Sequence, residues 1–236
     1  AKLAYTKNKI TRLSDAIKEQ NEIYKAKDVD VSTLFYEGYP QNSIWAVRSL
    51  GIDPSTGKEL FLDAAGNITE TFHYSAKVYC GTRDPLYRGN LTSMIRYKAF
   101  TLNLSFGYHW GGQQENNTLK NRVEIPISEL ARKNADRRVL SDRWHEPGDV
   151  TFFKAFSNAI TRETSRFVMD DNVFELQSAA LQYRVDKARL LEHFHVESAL
   201  FSVNASDLFY LSTIRRERGT SYPFARRVGA TISLIF

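Results

Sequence analysis

From Phe100 to Trp110 the chain changes character at every residue. Phe100, Leu102, Leu104, Phe106, Tyr108 and Trp110 share one face of an extended strand, and Thr101, Asn103, Ser105, Gly107 and His109 share the other. The preceding stretch 86–97, LYRGNLTSMIRY, sets Tyr87, Leu91, Ile95 and Tyr97 against Arg88, Asn90, Thr92 and Arg96, with Met94 the exception on the polar face. Only Lys98 and Ala99 separate the two stretches, which predicts a tight hairpin whose apolar faces turn the same way. In 173–185, Phe174 and Leu176 fall on even positions but Leu181, Tyr183 and Val185 on odd ones, so a bulge near Ser178–Ala180 is needed to restore a common face. Ala199, Phe201, Val203 and Ala205 mark a strand over 195–205, and Val228, Ala230, Ile232, Leu234 and Phe236 mark another over 226–236. Residues 1–11 read as the tail of a sixth strand.

The links between these six strands alternate long, short, long, short, long. A strand of ten to twelve residues tilted near 45° spans roughly 25 Å, the height of a membrane barrel's apolar band, whereas soluble strands are typically about five or six residues long. Alternation alone fits either a soluble half-buried sheet or a strand with lipid on one side and water on the other. The unequal links favour the second, because an antiparallel membrane barrel carries long loops on one rim and tight turns on the other. The long link 12–85 contains a short strand candidate over 43–50 and two turn signals, DPSTG at 53–57 and AAGN at 64–67. Its polar run 12–30 has apolar positions so sparse that only a short helix stays open. A second long tract covers 111–171. Six strands do not close a membrane barrel, since closure begins at about eight, so the remaining strands are expected elsewhere. The start at Ala1, inside a strand, is expected to follow a preceding part of the polypeptide.

Composition narrows the alternatives. No run of 18 apolar residues occurs, which removes an ordinary membrane-spanning helix and leaves a barrel untouched. Fifteen Phe, 12 Tyr and 3 Trp suit a barrel with interfacial aromatics. The net charge is +5, but the 32 basic residues are interspersed with 27 acidic ones, so nucleic acid is not an expected partner. Cys80 is alone, and neither a disulfide nor a cysteine metal cage can form within the chain.

Catalytic chemistry finds little to build on. His193, His195 and Glu197 recur at strand period, yet a solvated turn explains them better than a metal site. Asp170 and Asp171 lack a partner acid at glycosidase spacing, and Gly111-Gly112 lacks the rest of a nucleotide-binding signature. The chain is therefore expected not to be an enzyme, and neither a cofactor nor a metal is expected. Trp144 and His145 in the second long tract, and Trp45 in the first, are candidates for stacking on a substrate or anchoring a partner. The alternative is that they pack loop on loop. Arg88, Arg96, Asn103 and His109 are expected to face a barrel interior. Leu102, Leu104, Phe106, Tyr108, Ile232, Leu234 and Phe236 are expected to face lipid.

A family resemblance runs through the chain in NKITRLS (8–14), YEGYPQNSIWAV (36–47), GIDPSTGKE (51–59), RYKAFTLNLSFGYHWGG (96–112), DRWHEPGDVT (142–151), FELQSAALQYRV (174–185), SVNASDLFYL (202–211) and YPFARRVGATISLIF (222–236). In order and spacing these stretches resemble the C-terminal portion of the SusC/RagA-like TonB-linked outer-membrane transporters of Bacteroidota. The resemblance implies an all-β fold: the last antiparallel strands of a barrel of about 22 strands, with the whole of 1–236 in that barrel and the plug domain outside this chain. It also implies a SusD-like surface lipoprotein partner, coupling to TonB through the plug, and import of oligosaccharides or peptides across the outer membrane. The long loops would lie outside the cell and the C-terminus at the periplasmic side, with Phe236 similar to a barrel-assembly signal. Asp207 stands where the family often has Asn, and Ala99 where it often has a small turn residue such as Gly. A passive porin-like barrel segment is the alternative reading, and a soluble β-rich carbohydrate-binding module the second.

Overall fold

The computed structural model of the protein describes residues 1–130, 132, 136–186, 195–215 and 226–236. Eleven strands follow in chain order: β1 (Lys2–Tyr5), β2 (Ser43–Val47), β3 (Ser49–Ile52), β4 (Glu59–Leu62), β5 (Ile68–Thr69), β6 (Lys77–Thr82), β7 (Tyr87–Tyr97), β8 (Phe100–Glu115), β9 (Val168–Asp186), β10 (Ser198–Ser212) and β11 (Arg227–Ile235). The longest helix, α1, covers Asp15–Ala26, and α2 is a single turn over Ile127–Leu130. By contacts the chain divides into two units, residues 1–6, 85–111 and 171–236 in one and 7–84 with 112–170 in the other.

The first unit is built on an antiparallel sheet in the order β1-β7-β8-β9-β10-β11, the six strands that alternation predicts. Pairing Tyr97 with Phe100 leaves Lys98 and Ala99 as a two-residue turn. Lys98 carries the left-handed backbone, at φ 53°, that glycine adopts most readily. The same ladder sets Leu91 opposite Phe106, Ile95 opposite Leu102 and Arg88 opposite His109, so the apolar and polar sets keep separate faces across the hairpin.

Alternation places a bulge on β9 near Ser178–Ala180; the ladder does shift at that level, but with the extra residue on the partner strand. The β9–β10 ladder shifts register between Ser206 and Phe209, whose partners are Ser178 and Leu176. The extra residue lies on β10, where Asp207 has φ 57°. Phe174 still stacks on Phe106 at 5.5 Å, and Tyr183 still meets Phe100 at 4.6 Å. Both halves of β9 thus present apolar side chains to the same face as β8.

Strand ends differ from the sequence expectation. β1 stops at Tyr5 instead of continuing to 11, because Ile10 N–H bonds to the Tyr39 carbonyl and the Asn8 amide to Asp84. β8 and β10 run further, to Glu115 and Ser212, since ladder hydrogen bonds need no apolar side chain and polar residues extend them freely. β10 begins at Ser198 because His195, at φ 57°, turns the chain just before it.

The second unit carries a two-stranded ribbon, β2-β6, and a three-stranded one, β3-β4-β5. The turn signals at 53–57 and 64–67 are real turns. Asp53 accepts from Ser55 and Thr56, and Asp63 accepts from the backbone of Ala65 and Asn67. The helix that sparse apolar spacing left open does form. Its residues are mostly good helix formers, and buried Asn21 ties it to the Phe35 carbonyl at 2.7 Å. Two apolar clusters stabilise the unit, one of Val47, Phe61, Phe72 and Ala76, the other of Leu119, Val123, Phe152, Phe153 and Phe167.

Candidate functional site

The sheet presents two chemically distinct faces. On one, Leu91, Ile95, Tyr97, Phe100, Leu181, Tyr183, Phe201, Val203, Val228, Ile232 and Leu234 are all well exposed, most of them at 40–70%. Leu102, Leu104, Phe106 and Tyr108 share this face by register, Phe201 pairs with Ile232, and Ala199 pairs with Leu234. Phe236 follows the end of β11 and is exposed. So large an apolar area in contact with water is unfavourable, and it marks a surface that something apolar covers.

Aromatic rings gather at both ends of that face. Tyr5 meets Tyr87, Tyr87 meets Trp110, and Trp110 stacks on Tyr108, with centroids 5.1, 5.6 and 5.1 Å apart. At the hairpin end Phe100 meets Tyr183. The two groups are ten positions apart along β8, so a strand tilted near 45° sets them roughly 25 Å apart along the barrel axis. Aromatic side chains with polar edges prefer the headgroup levels of a bilayer, and this is the spacing such levels require.

The opposite face is polar. His109 Nε2 lies 3.3 Å from Asp171 Oδ2, and the Gln177 amide donates to Glu175 while covering Gly107, where a side chain would collide with it. Arg88, Arg96 and Asn103 stand on this face by register, opposite His109, Thr101 and Met94. Met94 is exposed here as the pattern required.

In the second unit a buried ion cluster joins the two long tracts. Arg166 bonds to both Glu59 oxygens, at 3.0 and 2.7 Å, and to both Glu124 oxygens, at 2.6 and 3.0 Å. It also donates to the Phe152 carbonyl, and Thr164 Oγ1 donates to Glu59. Burial works against the guanidinium's charge, yet its bonds to Glu59 and Glu124 outweigh that and hold its pKa above the ordinary arginine value. Burial pulls the neighbouring Lys154 below the usual lysine range, against the attraction of Glu124. None of these residues was legible as a site from sequence, because Glu59 is 107 positions from Arg166 and Glu124 is 42.

The three sequence candidates in this unit separate. The Trp144 indole donates to the Pro54 carbonyl at 2.9 Å and lies on Gly57, so it packs one long tract against the other. His145 is exposed, with its backbone N–H bonded to Asp149. Trp45 belongs to a four-ring cluster with Tyr36, Tyr39 and Tyr79. Its Nε1 is buried with no hydrogen-bond partner among the described residues. His195 lies in an exposed turn, while His193 lies outside the described residues. No group of three or more His, Cys, Asp or Glu placed to hold a metal occurs among the described residues. No helix among the described residues is long and apolar enough to cross a membrane, which leaves strands free to do so.

Comparison with solved structures decides the fold. Over 99% of its length the chain superimposes on part of the RagAB peptide importer in an open-open state, with a TM-score of 0.77 at 19% identity. The fold is that of a RagA barrel segment. The RagAB peptide transporter matches over 87% of the chain with a TM-score of 0.71 at 19% identity, and the importer in a closed-closed state over 86% with 0.68 at 20%. RagA is a SusC-like TonB-dependent transporter, so the resemblance drawn from the motifs and the likeness of the folds agree. The chain spans about a quarter of the length of these neighbours, between 24% and 26%. No family profile matches the sequence, and comparison with curated proteins returned no match.

Proposed function

We propose that this chain is the barrel-closing part of a TonB-dependent outer-membrane importer that takes up oligopeptides or oligosaccharides together with a SusD-like surface lipoprotein. The observation that carries the reading is the exposed apolar face bounded by two aromatic groups, because a bilayer is the solvent that makes this arrangement stable. The fold shared with the RagAB peptide importer supports transport, and among the two cargo classes it favours peptides. In a barrel of about 22 strands β1 and β11 would pair with strands outside this chain, leaving no edge in lipid. The connections between β1 and β7, β8 and β9, and β10 and β11 would then lie outside the cell, and the Lys98-Ala99 turn at the periplasmic rim. The ion cluster of Arg166 would keep two outer loops in one shape beneath the lipoprotein. Selective passage involves no covalent step, and no enzymatic role is proposed.

The test is uptake by cells expressing the complete transporter and its lipoprotein. Accumulation of labelled oligopeptide that stops when TonB is deleted or the proton-motive force is dissipated supports the proposal. Accumulation that persists without TonB would replace it with a passive barrel.

A further inference from the structure

Beside the β2-β6 ribbon lies an open recess of about 490 Å³ whose walls include Arg48, Tyr79, Cys80, Gln113, Ser165 and Val168. A bulge makes room for it. Ile44 pairs with Gly81 and Trp45 with Tyr79, so Cys80 is an extra residue on β6 and the strand bends there. Gln113 and Ser165 in the wall already have partners. Gln113 accepts from Thr82 N–H at 3.0 Å and donates to Asp170, and Ser165 Oγ accepts from Ser49 N–H. Tyr79 is held from behind by Tyr39 and Trp45. The Ser165 hydroxyl keeps its own proton to donate.

Arg48 is the exception. Its carbonyl is anchored by Leu62 N–H, but its exposed guanidinium has no ion pair or hydrogen bond among the described residues. Its charge does reach Cys80, where it opposes the upward push that burial gives the thiol. A recess whose lining combines an unpartnered arginine, a hydroxyl donor and an aromatic ring packed against two others suits a planar anion that accepts two parallel N–H bonds.

We propose that this recess binds a carboxylate of the imported oligopeptide, with Arg48 as the charged partner, Ser165 as a second donor and Tyr79 as the apolar wall. The inference rests on the importer reading and assigns its cargo a point of attachment. It is tested on the complete transporter with its lipoprotein, by measuring affinity for three pools of short synthetic peptides. One pool has free C-termini and no acidic side chains, one has amidated C-termini and no acidic side chains, and one has amidated C-termini and glutamate side chains. The wild type is expected to bind at least one carboxylate-bearing pool about tenfold or more tightly than the uncharged pool, and the first and third pools separate a chain terminus from an acidic side chain. Arg48→Gln is expected to abolish the difference and leave the uncharged pool's affinity unchanged. In the wild type the preferred pool is also expected to slow alkylation of Cys80, a readout that needs no variant. Equal affinity for all pools, or a preference that survives Arg48→Gln, overturns this site and leaves the importer reading standing. Failure to bind any peptide overturns this site and the peptide form of the importer reading, leaving oligosaccharides as the cargo.

Discussion

Arg166 grips Glu59 across 107 residues of chain, with two of its three nitrogens on the two carboxylate oxygens at 3.0 and 2.7 Å. Both side chains are almost fully buried, at 4% and 5% exposure, and Glu124 completes the cluster from the other side. Such a cluster is weak evidence for net stability, because desolvation offsets most of the attraction, but removing one member strands the others in low dielectric. Arg166→Met is therefore expected to destabilise the 7–84 and 112–170 unit by about 3–5 kcal/mol. The check is limited proteolysis of the folded barrel: cleavage within these tracts should accelerate while the barrel keeps its resistance to denaturation by detergent. Unchanged cleavage would mean that the apolar clusters around Val47 and Phe167 suffice to hold the loops.

How far the sequence could be read follows from the range of the interactions. Alternation is local, so all six sheet strands and the level of the irregularity near Ser178 were visible in it, though not the strand that carries the extra residue. The ends of β8 and β10 were not, because Gln113 or Ser212 bonds its backbone in a ladder whatever its side chain is. The Arg166 cluster was invisible for a different reason, since nothing local distinguishes a buried arginine from the other basic residues when its acids come from distant tracts. α1 lies between these cases. Its composition permits a helix, and what fixes it is Asn21 on the Phe35 carbonyl and Lys18 on Glu37 at 2.8 Å.

Trp144 and Gly57 make a second, independent tie between the long tracts. Gly57 has φ 69°, and a Cβ there would sit 2.5 Å from the indole ring. Gly57→Ala is expected to cost about 1–3 kcal/mol through backbone strain alone and to displace the indole as well. Indole displacement breaks the bond to the Pro54 carbonyl, so the Trp144 fluorescence should shift to the red. An unshifted spectrum would show that the ring has room to rotate aside.

On the sheet, Gly89 lets β1 and β7 approach beneath Tyr108, whose hydroxyl donates to the Lys2 carbonyl at 2.6 Å. A side chain at Gly89 would collide with that carbonyl and with the Tyr108 ring. Gly89→Ala is thus expected to loosen β1 from β7, seen as faster hydrogen exchange of the Ala4 and Tyr5 amides. Tyr108→Phe keeps the cover and loses one hydrogen bond, so its effect should be smaller, about 1 kcal/mol.

Lys98 occupies a left-handed backbone conformation in the two-residue turn between β7 and β8. Sequence comparison drew attention to Ala99, but the strain is one residue earlier. Lys98→Gly relieves roughly 1 kcal/mol, less the entropy that glycine loses on folding. A small rise in the urea midpoint of the refolded barrel is the expected result, and a fall would show that the Lys98 ammonium, 5.5 Å from the Tyr97 ring centre, contributes more than the strain removes.

The strongest demand of the structure is a solvent that differs on the two sides of one strand. Leu102, Leu104 and Phe106 alternate with Asn103, Ser105 and Gly107 along β8 with no break in register against β7. In lipid, single cysteines placed along 102–106 in a Cys80→Ser background should react with a membrane-impermeant thiol reagent at 103 and 105 and resist it at 102, 104 and 106. Trp110 supplies a label-free version of the same measurement. With Trp45 and Trp144 replaced by Phe, bromine-bearing lipids should quench the remaining indole, because it stacks on Tyr108 and lies against Tyr87 at one end of the apolar face. With Trp110 replaced instead, Trp45 among its three tyrosines and Trp144 on Gly57 should stay bright. The same two-residue period with no quenching of Trp110 by brominated lipid would mean that a second protein layer covers the Leu102 face, and such a sheet would belong to a soluble sandwich.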